Sequence, residues 1–295
     1  MKTTLDISVL LVTFAMMLTV GMGLETSHFA ALARRRRVLP AVLIGQTVLL
    51  PLIGWCITRV AAIPPHLSAG ILLMAACPVG SIANFFTSLA RANTALSVAA
   101  NMLSCLLAAP TMAAVFEIYG RIAGERFVFA APSLQLGVRV MLMTAAPIAL
   151  GMVLRRLAPR HVARIGSLIQ GACTLGILGI VALVVGAQAD SLAAEWKPAA
   201  AASVALMTVA MLAGWITSAL IGLPTHDRMT FAVVFATRNV ALGSAVAVTL
   251  LGRVDYAAFG VVYFLTEVPL LLALVALHRR RHSRTDPTSS AETGQ

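Results

Sequence analysis

Charge is scarce in this chain, and acidic charge scarcest: only 11% of its 295 residues are charged, and Asp and Glu together number 11 against 22 Lys and Arg. A soluble domain has about a quarter of its residues charged, so a water-exposed globular surface is excluded. Aromatic residues are also few, at 6%. The four cysteines, Cys56, Cys77, Cys105 and Cys173, form no Cys-x-x-Cys pair and have no histidine at ligand spacing. Neither a zinc site nor a disulfide framework is indicated, and they read as small packing residues. The sequence also lacks a P-loop, a nucleophile elbow and paired carboxylates with a nearby histidine. These absences argue against direct ATP drive and against an enzyme.

What the chain has instead is hydrocarbon. Hydrophobic residues make up 59% of it, and the mean hydropathy is +0.91. Runs of about 20 apolar residues, the length that crosses a bilayer core as helix, fall at 5–24, 40–60, 67–91, 94–117, 133–154, 163–187, 197–221, 229–251 and 255–277. The expected fold class is therefore an all-α polytopic membrane protein with nine transmembrane helices. Residues 1–24 show no cleavable signal peptide and read as the first retained span. The polar stretch 285–295 reads as a disordered cytoplasmic tail.

Lys and Arg collect in cytoplasmic loops. If the first span runs from outside to inside, most of the basic residues fall on the cytoplasmic side: Arg34 to Arg37, Arg91, Arg155, Arg156, Arg160, Arg164, Arg228, Arg279 to Arg281 and Arg284. The N-terminus then faces outward and the C-terminus inward, in a cell (inner) membrane. The net charge of +11 is explained by this topology, with Arg34 to Arg37 touching anionic lipid headgroups. Nucleic acid is not an expected partner.

Two charges stand inside the apolar runs. Arg238 lies mid-way along the eighth and Glu267 mid-way along the ninth, at equal distances from the short turn near residue 252. An antiparallel pair of helices sets them at one depth, as a candidate buried ion pair. Such groups cost at least ~2.5–3.5 kcal/mol at the bilayer centre and face a protein interior or a wet cavity.

The third run is broken in its middle by Pro78, Gly80 and Ser81, followed by Asn84. Proline removes a backbone donor, and a break survives at membrane depth only where the freed groups are buried in protein or line a cavity. In the fourth run Ser97, Asn101 and Ser104 recur on one helical face. The mirror position of Asn84 about the Ala92-Asn93 turn is Asn101, so the two are expected to meet. The eighth run carries Thr237, Arg238 and Asn239 at its middle, then Gly243 and Ser244. Setting Ala83-Asn84 beside Arg238-Asn239 gives two interrupted helices of opposite direction, the pattern of an inverted repeat with crossing discontinuous helices. Glu117, Tyr119, Trp196, Trp215 and the run His226-Asp227-Arg228, placed in a cytoplasmic loop, read as anchors or packing rather than ligands.

Cys77 to Asn84 (CPVGSIAN) and Leu89 to Ser97 (LARANTALS), with Gly21 to Ser27 (GMGLETS) and Gln46 in IGQTVLLPLIG, resemble the bile acid:sodium symporter family over nearly the whole chain. The resemblance implies a panel domain and a core domain, alternating access, and two sodium sites behind the crossing helices. Its first ligand set falls on Ala83, Asn84, Ser97 and Asn101, leaving Asn84, Ser97 and Asn101 as residual sodium ligands. Its second motif falls on Val234 to Asn239, where Val234 replaces the Glu and Arg238 the Gln.

A guanidinium in that neighbourhood, without the carboxylate, repels sodium. Arg238 is therefore expected to stand in for one sodium ion, held by Glu267 and by oxygens of Asn239, Asn84 or Gln46. Three versions stay open: a structural Arg238–Glu267 pair, a proton-carrying Glu267, or an Arg238 that binds substrate carboxylate directly. The site residues are then Gln46, Asn84, Ser97, Asn101, Thr237, Arg238, Asn239 and Glu267, and no cofactor is expected. The function read is secondary transport of a small organic anion or amphipathic acid. A related arsenite- or auxin-like efflux carrier and a non-transporting membrane sensor are the alternatives; substrate, direction and oligomeric state are not written in the sequence.

Overall fold

The computed structural model describes residues 2–23, 35–60, 63–123, 133–187 and 189–283, and the regular structure among them is helical throughout. The expected tail, 285–295, lies outside the described residues. Helix α1 (Lys2–Met22) is followed by α2 (Val38–Ile44), which runs through a π-helical turn, Gly45–Leu49, into α3 (Leu50–Val60). Next come α4 (Pro65–Ala76), α5 (Ile82–Leu89), α6 (Thr94–Ala123), α7 (Ser133–Leu157), α8 (Pro159–Ala187) and α9 (Ala189–Leu220). Then follow α10 (Thr225–Ala236), α11 (Val240–Ala245) with a second π-helical turn at Val246–Leu250, and α12 (Val254–Ser283).

Five stretches among the described residues are long and apolar enough to cross a membrane: Val38–Val60, Val138–Leu157, Ala193–Leu220, Thr225–Val248 and Val254–Arg280. A sixth is α6, bent by 56° between Ala108 and Pro110. The chain is thus a multi-pass membrane protein. The third expected run is not one helix but two short ones, α4 and α5, because Pro78 stops the first. Cys77, the residue before that proline, is extended (φ −64°, ψ 147°), since the proline ring clashes with a helical neighbour on its N-terminal side.

Helix α1 lies along α7 and α8, while α9 lies along α10 and α12, and α4 packs on α3 and α12. A Cβ on Gly21 would run into the Ile148 carbonyl, and one on Gly151 into the Leu18 carbonyl, so α1 and α7 touch backbone to backbone. Small residues permit such contacts where lipid gives helices no hydrophobic reason to associate. The main core gathers α2 to α6 with α9 to α12, and a small cluster of Met17, Met102, Cys105 and Ile148 ties α1, α6 and α7 together. From Met229 to Val248 every residue is buried, so this broken segment sits wholly inside the protein.

Helices α4 and α10 are matched pieces. Each has 12 residues, each follows a proline with extended ψ (Pro64 144°, Pro224 160°), and each ends on an extended residue, Cys77 or Thr237 (ψ 134°). Their successors do not keep the register expected from the sequence. Asn239 immediately precedes α11 and Ser81 immediately precedes α5, so Asn239 corresponds to Ser81. Asn84 sits inside α5, about one turn further on, because the first break is longer than the second.

Candidate functional site at the helix crossing

The two breaks lie directly against each other. The Asn239 backbone N–H donates to the Pro78 carbonyl at 2.9 Å, and a Cβ on Gly80 would stand 2.7 Å from the Arg238 carbonyl oxygen. Only glycine allows that approach.

Interrupting a helix frees backbone groups, and in an apolar interior each needs a partner. The partners are specific. The Cys77 carbonyl accepts from Arg238 Nη1 at 3.2 Å, the Phe235 carbonyl accepts from Arg238 Nη2, and the Ala236 carbonyl accepts from the Tyr263 hydroxyl. The Val79 N–H donates to Ser104 Oγ at 3.0 Å. The Asn239 side chain caps α11 by accepting from the Leu242 N–H at 3.0 Å, the usual role of Asn before a first turn.

Arg238 Nη1 also donates to Gln46 Oε1 at 2.6 Å, so both its hydrogens are taken. Gln46 reaches it from the first π-helical turn. The guanidinium, 3% exposed, is therefore enclosed by three oxygens where the C-terminal ends of α4 and α10 converge. Those ends carry the negative poles of their helix dipoles.

Glu267, on α12, is 1% exposed. One of its oxygens, Oε1, accepts the Arg238 backbone N–H at 3.3 Å, and Oε2 has no hydrogen-bond partner among the described residues. The expected contact between guanidinium and carboxylate is thus corrected. The two residues are neighbours, but the break leaves carbonyls that claim the guanidinium and an N–H that claims the carboxylate.

The remaining expected residues divide. Asn84 Oδ1 accepts from Ser97 Oγ at 2.8 Å, not from Asn101, whose Oδ1 accepts instead from Cys105 Sγ at 3.3 Å within its own helix. No hydrogen bond joins Asn84 to Asn101 as expected: α5 ends at Leu89 and α6 begins at Thr94, so the turn centres on Arg91-Ala92, one residue before the expected Ala92-Asn93. Thr237 turns back onto its own helix, donating to the Val233 carbonyl at 3.0 Å. Ser81, Asn84, Arg238, Asn239 and Glu267 line one cavity of about 660 Å³, with Met16, Phe85 and Phe264 on its apolar side. Thr19 of α1 and Cys173 of α8 also line it, so the cavity lies between those helices and the crossing. Among the described residues no three His, Cys, Asp or Glu gather as a metal cluster.

Sequence reading missed Tyr263, one turn before Glu267 on α12, and misjudged Asp227. Far from lying in a loop, Asp227 occupies the first turn of α10, 3% exposed. It accepts from Asn93 Nδ2 at 2.7 Å and from Arg35 Nη1 at 3.0 Å. The Asn93 N–H donates to Thr230 Oγ1 at 2.9 Å, so the turn after α5 is fastened to the start of α10.

The model of the sodium bile acid symporter family matches residues 10–195, well over half of the chain. The chain belongs to that family. It is a family of transporters, not of enzymes. The matched stretch includes the first break and ends before Arg238. The chain is 24% identical over 231 residues to the sodium-dependent transporter YocS of Bacillus subtilis, covering 78% of this chain and 70% of that one. It is 24% identical over 241 residues to the probable sodium/metabolite cotransporter BASS1 of Arabidopsis thaliana chloroplasts, covering 80% of this chain and 58% of that one. To the human hepatic sodium/bile acid cotransporter it is 26% identical over 250 residues, covering 83% of this chain and 71% of that one.

Proposed function

We propose that this chain is a secondary transporter of a small organic anion or amphipathic acid, working by alternating access, in which the Arg238 guanidinium takes over a cation position and weakens or replaces sodium coupling. One observation carries the reading: Gln46 Oε1 and the Cys77 and Phe235 carbonyls converge on the guanidinium at the C-terminal ends of two half-helices. Such an oxygen-lined crossing is where transporters of broken-helix design hold a coupling cation. Here a permanent charge on a side chain occupies it, and Val234 leaves no carboxylate one turn upstream.

In this reading the nine apolar runs are nine spans, with the N-terminus outside and the C-terminus inside an inner membrane. Helices α1, α7 and α8 form a panel that moves against a core holding both broken helices, and the 660 Å³ cavity between them receives the substrate. Asn84, Ser97 and Asn101 are the oxygens left for a residual sodium ion, with Asn84 and Ser97 bonded to each other.

The test is uptake into vesicles with and without sodium, for the wild type and for Arg238→Gln combined with Val234→Glu. The wild type should respond weakly to sodium and the double variant strongly. Strong sodium dependence of the wild type, or no gain in a folded double variant, would sink the stand-in role.

A further inference from the structure

Three buried polar atoms at the crossing have no hydrogen-bond partner among the described residues: Gln46 Nε2, Asn239 Nδ2 and Glu267 Oε2. Leaving such a group unpaired is costly, and a folded protein retains one where something else supplies the partner. The amide orientations are fixed by their other halves. Gln46 must turn its oxygen to the guanidinium, and Asn239 must turn its oxygen to the Leu242 N–H, so each leaves an NH₂ group facing away.

Asn239 and Glu267 both line the 660 Å³ cavity. An unpaired amide donor and an unpaired carboxylate oxygen therefore belong to neighbouring residues of its polar wall, each covered over in this structure, and the Arg238 N–H bonded to Glu267 holds the two residues together.

Charge balance narrows the ligand further. A buried guanidinium and a buried carboxylate already cancel. An added anion or an added cation leaves one charge uncompensated in a low-dielectric interior, whereas a headgroup bearing both signs leaves none. We propose that the cavity binds an amphipathic zwitterion, an acid with an ammonium next to its carboxylate as in an apolar α-amino acid. Its ammonium donates to Glu267 Oε2, its carboxylate accepts from Asn239 Nδ2, and its side chain lies against Met16, Phe85 and Phe264. This rests on reading the cavity as the substrate site; of the two substrate classes in that reading it takes the amphipathic acid, with its own positive charge, and sets aside the plain organic anion.

The experiment follows heat stability of the purified full-length protein in lipid nanodiscs against three matched sets of probes. Phenylalanine and leucine are compared with their deaminated acids, 3-phenylpropanoate and 4-methylpentanoate, and with the amines 2-phenylethylamine and 3-methylbutylamine. A ligand that binds only the folded state raises the apparent midpoint with concentration. The amino acids should do so at concentrations at least about tenfold lower than either partner probe, the difference a charge-assisted hydrogen bond supplies. Glu267→Gln should remove roughly that tenfold advantage, and because it leaves the guanidinium to balance an added anion it should not weaken the deaminated acids. Equal or tighter binding of the deaminated acids overturns the zwitterion and leaves the transporter reading standing. Equal or tighter binding of the amines, or binding by no probe of the three sets, overturns it as well, while the sodium experiment above decides the stand-in role separately.

Discussion

Replacing Gly80 with alanine tests whether the contact between the two breaks is the structural pivot of the site. The new Cβ would stand 2.7 Å from the Arg238 carbonyl oxygen and 3.1 Å from its carbon. Both atoms are backbone, so no side chain can swing away. Restoring ordinary contact separates the breaks by roughly 0.7 Å or more, and the 2.9 Å bond from the Asn239 N–H to the Pro78 carbonyl is lost with it. Overpacking of this kind costs ~1–3 kcal/mol, and a buried hydrogen bond contributes ~1 kcal/mol. The sum of ~2–4 kcal/mol corresponds to a fall of roughly 5–15 °C in the unfolding midpoint. The assay is thermal unfolding in detergent, with Gly171→Ala as the control. A Cβ at Gly171 meets nothing within 4 Å, so that variant should be unchanged or stabilised by up to ~1 kcal/mol through helix propensity. A Gly80→Ala midpoint equal to the wild type would refute the argument, because it would mean the breaks do not press on each other.

Tyr263→Phe removes the hydroxyl that donates to the Ala236 carbonyl and leaves that acceptor buried. The expected loss is ~1–3 kcal/mol, read as a lower midpoint in the same assay, and an unchanged midpoint would contradict it. Asp227→Ala unties Asn93 and Arg35, so trypsin should cut faster after the exposed Arg91, which sits at φ +54° in the adjoining turn. A cleavage rate equal to the wild type would show that the tie does not hold that turn.

The helix interruptions were legible because polar residues in an apolar run have no reason to be there except a site or a break. Pro78 marks the first by its ring, and Thr237-Arg238-Asn239 mark the second by polarity alone. Symmetry of position about the turn brought Arg238 and Glu267 to neighbouring places, but could not say which atoms meet. The acceptors that claim the guanidinium are largely backbone carbonyls of Cys77 and Phe235, and a carbonyl freed by a break has no letter in the sequence. The same blindness misplaced Asn84, since one turn of register depends on how many residues the break consumes. Asp227 was read as a loop anchor because His226-Asp227-Arg228 looks solvated, and what buries it is Asn93, more than a hundred residues away in sequence.

The complete burial of Met229 to Val248 bears on how the chain is made. A segment with no face for lipid, and with a guanidinium at its centre, gains little from sitting alone in a bilayer. Its lasting residence there must await α12, which brings Glu267 and Tyr263 and is synthesised afterwards. During biogenesis α10 and α11 should thus linger at the insertion machinery until α12 emerges, and a chain truncated before α12 should leave them exposed to quality-control proteolysis.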